Sequence, residues 1–269
     1  MPTDAAAPWT NPVKAKLAAG EAVFGLTLTV ASVDIAAHAA CMGFDFLWIE
    51  MEHSPITLET LRHMVLATRG LPAVPFARVP VNEVWTAKRV LDAGVYGVVF
   101  PFTSTPELAR QAVAACRYPP HGVRGSGPVL AKFCWPGGSD CYHDSADENI
   151  MAIAIIEQAH AVENIDEIAA TPGLDALFIG TSDLSFSLGL RGQQGHPRLK
   201  DAIARVVDAA QKHGKYLGAP AWDPEQVARY KEQGFRLFQA NTEIGLMAIG
   251  AKQILGDRAA GARPRTSIY

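Results

Sequence analysis

Eight times along the 269-residue chain, a short run rich in β-branched and aromatic residues gives way to a segment with helical spacing, and this alternation constrains the fold most. The runs are VFGLTLT (23–29), FDFLWIEME (44–52), AVPFARV (73–79), YGVVFPF (96–102), MAIAIIEQ (151–158), ALFIGTS (176–182), YLGAPA (216–221) and RLFQANT (236–242). They are apolar enough to be covered on both faces, as parallel strands between helices are. Between them, Leu58, Leu61, Met64 and Val65 recur at helical spacing behind Thr57, a capping residue. Thr105-Pro106 and Asp223-Pro224 each set a cap before a proline at the first helical position. Eight strand–helix units predict an α/β fold, a parallel (β/α)8 TIM barrel over about 23–255, in a single domain spanning 1–269 with an N-terminal arm and a C-terminal tail.

Charge narrows the function classes. Lys and Arg number 24 against 27 Asp and Glu, a net charge of −3, without basic runs, so neither nucleic acid nor a membrane surface is an expected partner. The N-terminus lacks a basic start followed by an apolar core, and no apolar run approaches the ~18 residues of a membrane span, so a cytoplasmic protein is expected. Cys41, Cys116, Cys134 and Cys141 form no C-x-x-C pair and read as small apolar residues in a reducing compartment. Residues 119–149 interrupt the rhythm with a Gly-, Pro- and aromatic-rich stretch, expected to be a lid or an arm reaching another subunit.

A barrel carries its chemistry at the C-terminal ends of its strands, so polar residues there are the candidates. Glu157 and Asp183 each follow an apolar strand, and strands five and six are neighbours. Two carboxylates, with remaining positions left to water and substrate, suit Mg²⁺ or Mn²⁺. Taken singly, Asp183 is equally a helix cap and Glu157 a solvated strand end. Arg78 shares a face with Val74 and Phe76, so it leaves its strand near the mouth, suited to a carboxylate or developing enolate oxygen, or else to an ion pair with a loop acid. His53 is the one histidine of eight at a strand end and can move protons at neutral pH, the alternative being a loop residue bonded to a backbone carbonyl. Alternation sets Glu50 and Glu52 on one face and His53 on the other, so all three meet only if the chain bends at Ser54-Pro55. No strand carries a lysine, which argues against Schiff-base aldol chemistry.

These residues, with GFDFLWIEMEHSP, FARVP, VLDAGVYGVVFPF, RYPPHGVRG and IIEQAHAVENIDEIAATPGLDALFIGTSDLSFSLG in this order, make the chain resemble the HpcH/HpaI aldolases, metal-dependent class II pyruvate aldolases. The likeness runs from about Val23 to Leu255. It implies a barrel of the phosphoenolpyruvate/pyruvate-binding type, metal held by Glu157 and Asp183 (Mg or Mn, with Co as a further option), and His53 as acid/base. It gives Arg78 the keto oxygen of pyruvate, and Gly180, Ser182 and the backbone around Asp183 its carboxylate. Asp92, in VLDAG, matches an aspartate supporting the histidine of a neighbouring subunit. A homo-oligomer, a hexamer whose subunits exchange their last helix, is implied as well.

Three departures stand out. Glu50 occupies a position where the family usually has Asp, and is expected to sit behind the metal's water, while Glu52 orients the turn. Ile155 replaces a frequent Gln, and Thr181-Ser182 replaces a Pro-Ala/Ser pair. The activity implied is reversible cleavage of a 4-hydroxy-2-oxo acid to pyruvate, or a related 2-oxo acid, and an aldehyde. The competing expectations are a CoA-ester lyase of the citrate lyase β-subunit type, which lacks its extended basic groove here, and a barrel that binds 2-oxo acids without catalysis.

Overall fold

The computed structural model describes residues 10–136, 142–256 and 258. Its strands are β1 (Val23–Leu28), β2 (Phe46–Glu50), β3 (Val74–Arg78), β4 (Gly97–Phe100), β5 (Met151–Ile156), β6 (Ala176–Ile179), β7 (Tyr216–Pro220) and β8 (Phe235–Thr242), parallel and closed in sequence order into one barrel. The helices are α1 (Pro12–Ala18), α2 (Val33–Ala39), α3 (Leu58–Ala67), α4 (Val84–Ala93), α5 (Pro106–Cys116), α6 (Ala131–Cys134), α7 (Tyr142–Asn149), α8 (Ala159–Glu163), α9 (Ile165–Ala169), α10 (Thr181–Ser187), α11 (Pro197–Lys212), α12 (Pro224–Glu232) and α13 (Glu243–Leu255). The expected caps are in place: Thr57, Thr105 and Asp223 accept from the backbone N–H groups of Thr60, Leu108 and Gln226. None of these helices is long and apolar enough to cross a membrane.

The bore is filled by aromatic rings set against glycines. Register pairs Gly25 with Phe46, Phe76 with Gly97, and Phe178 with Gly218. A methyl group added at Gly25 would fall 2.2 Å from the Phe46 ring, and one at Gly97 2.6 Å from the Phe76 ring, so only glycine lets these rings turn inward. Phe46 packs on Phe76 with centroids 4.9 Å apart, and Trp48 on Phe178 at 4.9 Å. By strand alternation the inward face that carries Phe46, Trp48 and Phe76 ends in Glu50 and Arg78, which are register partners.

The stretch 119–149 is not a lid over its own mouth in its described parts. Trp135, just after α6, stacks on Tyr96 at 4.8 Å, immediately before β4 begins, and Asn149 at the end of α7 accepts from the Asn11 N–H. Both contacts lie at the barrel's N-terminal face. Aromatic burial explains this: Tyr142 and Trp135 have more to gain against the barrel than over an open site. Cys41, Cys116 and Cys134 are free thiols, as expected, while Cys141 and most of the tail fall outside the described residues.

Candidate active site

The polar mouth begins where the strand ladders end. Met51 still bonds the Arg78 carbonyl through its N–H at 3.0 Å, and then the chain turns. The turn is built by Glu50, whose Oε1 accepts the N–H groups of Glu52 at 2.7 Å and His53 at 3.0 Å, and by the Ser54 hydroxyl, which donates to the Glu50 carbonyl. The bend therefore falls at Met51–Ser54, earlier than the expected Ser54-Pro55, and it brings His53 back beside Glu52: Nε2 lies 3.7 Å from Glu52 Oε2. The His53 side chain is half exposed.

The turn-orienting part expected of Glu52 belongs to Glu50. Glu50 is fully buried, and its Oε2 accepts from Arg78 Nε at 2.6 Å and Trp48 Nε1 at 3.2 Å. With two donors on each oxygen, it has no lone pair left to accept from a metal's water. Glu52 is the one that faces the mouth. Its Oε2 lies 3.1 Å from Arg78 Nη1 without a hydrogen bond aligned on it. Burial first, and then the charges of Glu50 and Asp183, push the Glu52 carboxyl up to about 7 against the pull of Arg78. Burial lowers the Arg78 pKa, but Glu50 and Glu52 more than offset this and the net shift is upward, so the guanidinium stays charged.

Glu157 and Asp183 come to the same mouth. Glu157 is 3% exposed, and its Oε1 accepts the Phe102 N–H at 2.7 Å. Phe102, expected inside strand four, lies beyond it in the left-handed region (φ 48°), a conformation that turns its N–H onto the carboxylate. Burial first, then Glu52 and Asp183, push the Glu157 carboxyl up to about 7. Gly180 makes room for it: a methyl group there would stand 2.8 Å from Glu157 Cβ. Asp183 is not the cap of α10; that place belongs to Gly180, and Asp183 lies exposed in the first turn, beside Ser182.

Among the described residues, no ion pair engages Glu157 or Asp183, and no group of three or more His, Cys, Asp and Glu side chains is close enough to hold an ion. Two hard carboxylates that no ion pair engages, beside an Arg78 already committed to Glu50 and Glu52, fit a hard divalent ion completed by water and substrate. Asp92 is not part of this mouth. It lies at the C-terminal end of α4, hence at the opposite face of the barrel, where Arg124 Nη2 donates to it at 3.1 Å. Sequence reasoning misses Trp48 and Phe102, whose roles come from an indole donor and a backbone amide that no motif marks.

The profile of the family described as HpcH/HpaI aldolase/citrate lyase matches residues 24–248. A hydroxypyruvate/pyruvate aldolase of Cupriavidus necator is 36% identical over 248 residues, covering 92% of each chain. A 5-keto-4-deoxy-D-glucarate aldolase of Enterobacter sp. is 36% identical over 92% of this chain and 96% of its own. An HpcH/HpaI aldolase/citrate lyase family protein of Burkholderia cenocepacia superposes with a TM-score of 0.85 at 34% identity, over 93% of this chain and 99% of its own.

Proposed function

Because this chain belongs to the HpcH/HpaI aldolase/citrate lyase family, we propose that it is a divalent-metal-dependent aldolase that reversibly cleaves a 4-hydroxy-2-oxo acid to pyruvate or hydroxypyruvate and an aldehyde. It is a carbon–carbon lyase of class II. What supports the site reading most is the nearness of Glu157 and Asp183 to Glu52 and Arg78, with His53 beside Glu52, at one barrel mouth.

Glu157 and Asp183 would hold the ion, Mg²⁺ or Mn²⁺ by donor type, and it would supply Lewis-acid polarisation of the 2-oxo acid. Arg78 donates to the keto oxygen and shares the charge that develops there. The first-turn amides of α10, around Ser182 and Asp183 behind Gly180, meet the substrate carboxylate. His53 takes the C4 hydroxyl proton; the C3–C4 bond breaks, its electron pair passing into the enolate whose oxygen Arg78 faces, the aldehyde leaves, and C3 takes the proton back from His53 to complete the 2-oxo acid. Glu52, 3.7 Å from His53 Nε2, is positioned to hold the imidazole toward the mouth.

The active form is a homo-oligomer, a hexamer on the family resemblance. In a barrel of this type the eighth helix covers β8 and β1, yet α13 buries only Glu243 and leaves Ile244, Met247, Ile249, Ile254 and Leu255 exposed. Exchange of α13 between copies supplies the missing cover, and Asp92 reaches the mouth of a neighbouring copy. The test of function is condensation: pyruvate and hydroxypyruvate are incubated with an aldehyde panel and Mg²⁺ or Mn²⁺, and products are read by NMR and mass spectrometry. A 4-hydroxy-2-oxo acid is expected from at least one pair; none from any pair overturns the reading.

A further inference from the structure

We propose that Glu50 is the positioning residue of Arg78: its buried carboxylate, pinned from three directions, turns the guanidinium so that Nη2 faces the mouth. The inference rests on the reading of Arg78 as the donor to the keto oxygen. Four N–H groups converge on two oxygens, those of Glu52 (2.7 Å) and His53 (3.0 Å) on Oε1, and Trp48 Nε1 (3.2 Å) and Arg78 Nε (2.6 Å) on Oε2. Water cannot stand in for the carboxylate toward these donors, because Glu50 is fully buried.

Only an ionised carboxylate accepts from all four. A glutamine offers one oxygen and would point its own N–H groups at two of the donors. The frame around it is rigid: Glu50 and Arg78 are register partners on β2 and β3, and the Trp48 ring is held against Phe178 at 4.9 Å. With Nε tied to Glu50 and Nη1 beside Glu52, no described residue accepts from Nη2. The length of the side chain matters as well. A carboxylate one methylene shorter keeps both acceptor oxygens but draws them back from donors that now stand at 2.6–3.2 Å.

A double-mutant cycle separates positioning from mere packing. Pyruvate release and calorimetric pyruvate binding are measured with Mg²⁺ for the wild type, Glu50→Gln, Arg78→Lys and the double variant, each checked for native circular dichroism. E50Q is expected to lose about 100-fold in kcat/KM, the scale of an ångström's misplacement. In the R78K background the same change is expected to cost less than about threefold, and Glu50→Asp is expected to recover part of the loss. Equal losses from E50Q in both backgrounds would overturn the proposal. Should E50Q fail to fold, Trp48→Phe removes a single pin, and its loss is expected where Arg78 is kept and absent in the R78K background; a loss of equal size in both would again overturn it. If the wild type cleaves no 4-hydroxy-2-oxo acid, the function reading fails by itself, and the same cycle run on pyruvate affinity still decides the role of Glu50.

Discussion

His53 and the paired acids show what single residues contribute to the mouth. His53→Gln removes the proposed proton carrier from a half-exposed position, so kcat is expected to fall ~10²–10⁴-fold with little change in Tm. Glu52 and Glu157, both pushed up to about 7 from 4.5, hold more protons in the folded state than in the unfolded one between those values. The stability of chelated protein is therefore expected to fall as pH rises from about 4.5 to about 7, by a few kcal/mol at most. Calorimetry across that range checks the sign, and a rise in Tm with pH would contradict it. At this scale the sequence places Arg78, Glu157, Asp183 and His53 at strand ends, because period-two alternation holds up to each strand's last ladder bond. It gives the turn to Glu52 rather than Glu50, because alternation stops at Met51, where the turn depends on which carboxylate the backbone amides choose.

All eight strands and the three caps are legible from composition and spacing, while seven of the eight strand ends read one to three residues too long and β8 ends where expected. The excess, Pro101-Phe102 on β4, Glu157-Gln158 on β5 and Gly180 to Ser182 on β6, directly continues an apolar run and so reads as strand, but belongs to the mouth. Removing the α3 cap with Thr57→Ala is expected to cost about 1 kcal/mol, read by urea unfolding, without altering kcat. Gly180→Ala is a different case. Its methyl group would press on Glu157 Cβ at 2.8 Å, displacing a carboxylate rather than loosening an element. The expected outcome is loss of most of the Tm increase that saturating Mg²⁺ gives the wild type, with the metal-free Tm changed far less. The role of 119–149 is not legible in the same way, since a Gly- and Pro-rich stretch can be a lid or a packed strap, and only the burial of Trp135 and Tyr142 decides it.

For the whole molecule, the strand–helix alternation dictates a closed barrel, but not where the eighth helix goes, because apolar residues look the same whether they cover their own barrel or a neighbour's. Met247→Glu on the exposed side of α13 is expected to lower the mass found by light scattering and to lower activity with it; an unchanged oligomer would refute the exchange of α13. The proposed divalent ion would join the levels, since Glu157 follows β5, Asp183 lies in the first turn of α10, and neither has an ion-pair partner among the described residues. The most direct measurement is pyruvate release from a 4-hydroxy-2-oxo acid by protein stripped with EDTA, dialysed, and then given Mg²⁺ or Mn²⁺. Turnover is expected to vanish on stripping and return with the ion in wild-type protein but not in Glu157→Gln; full turnover after thorough chelation would contradict the account.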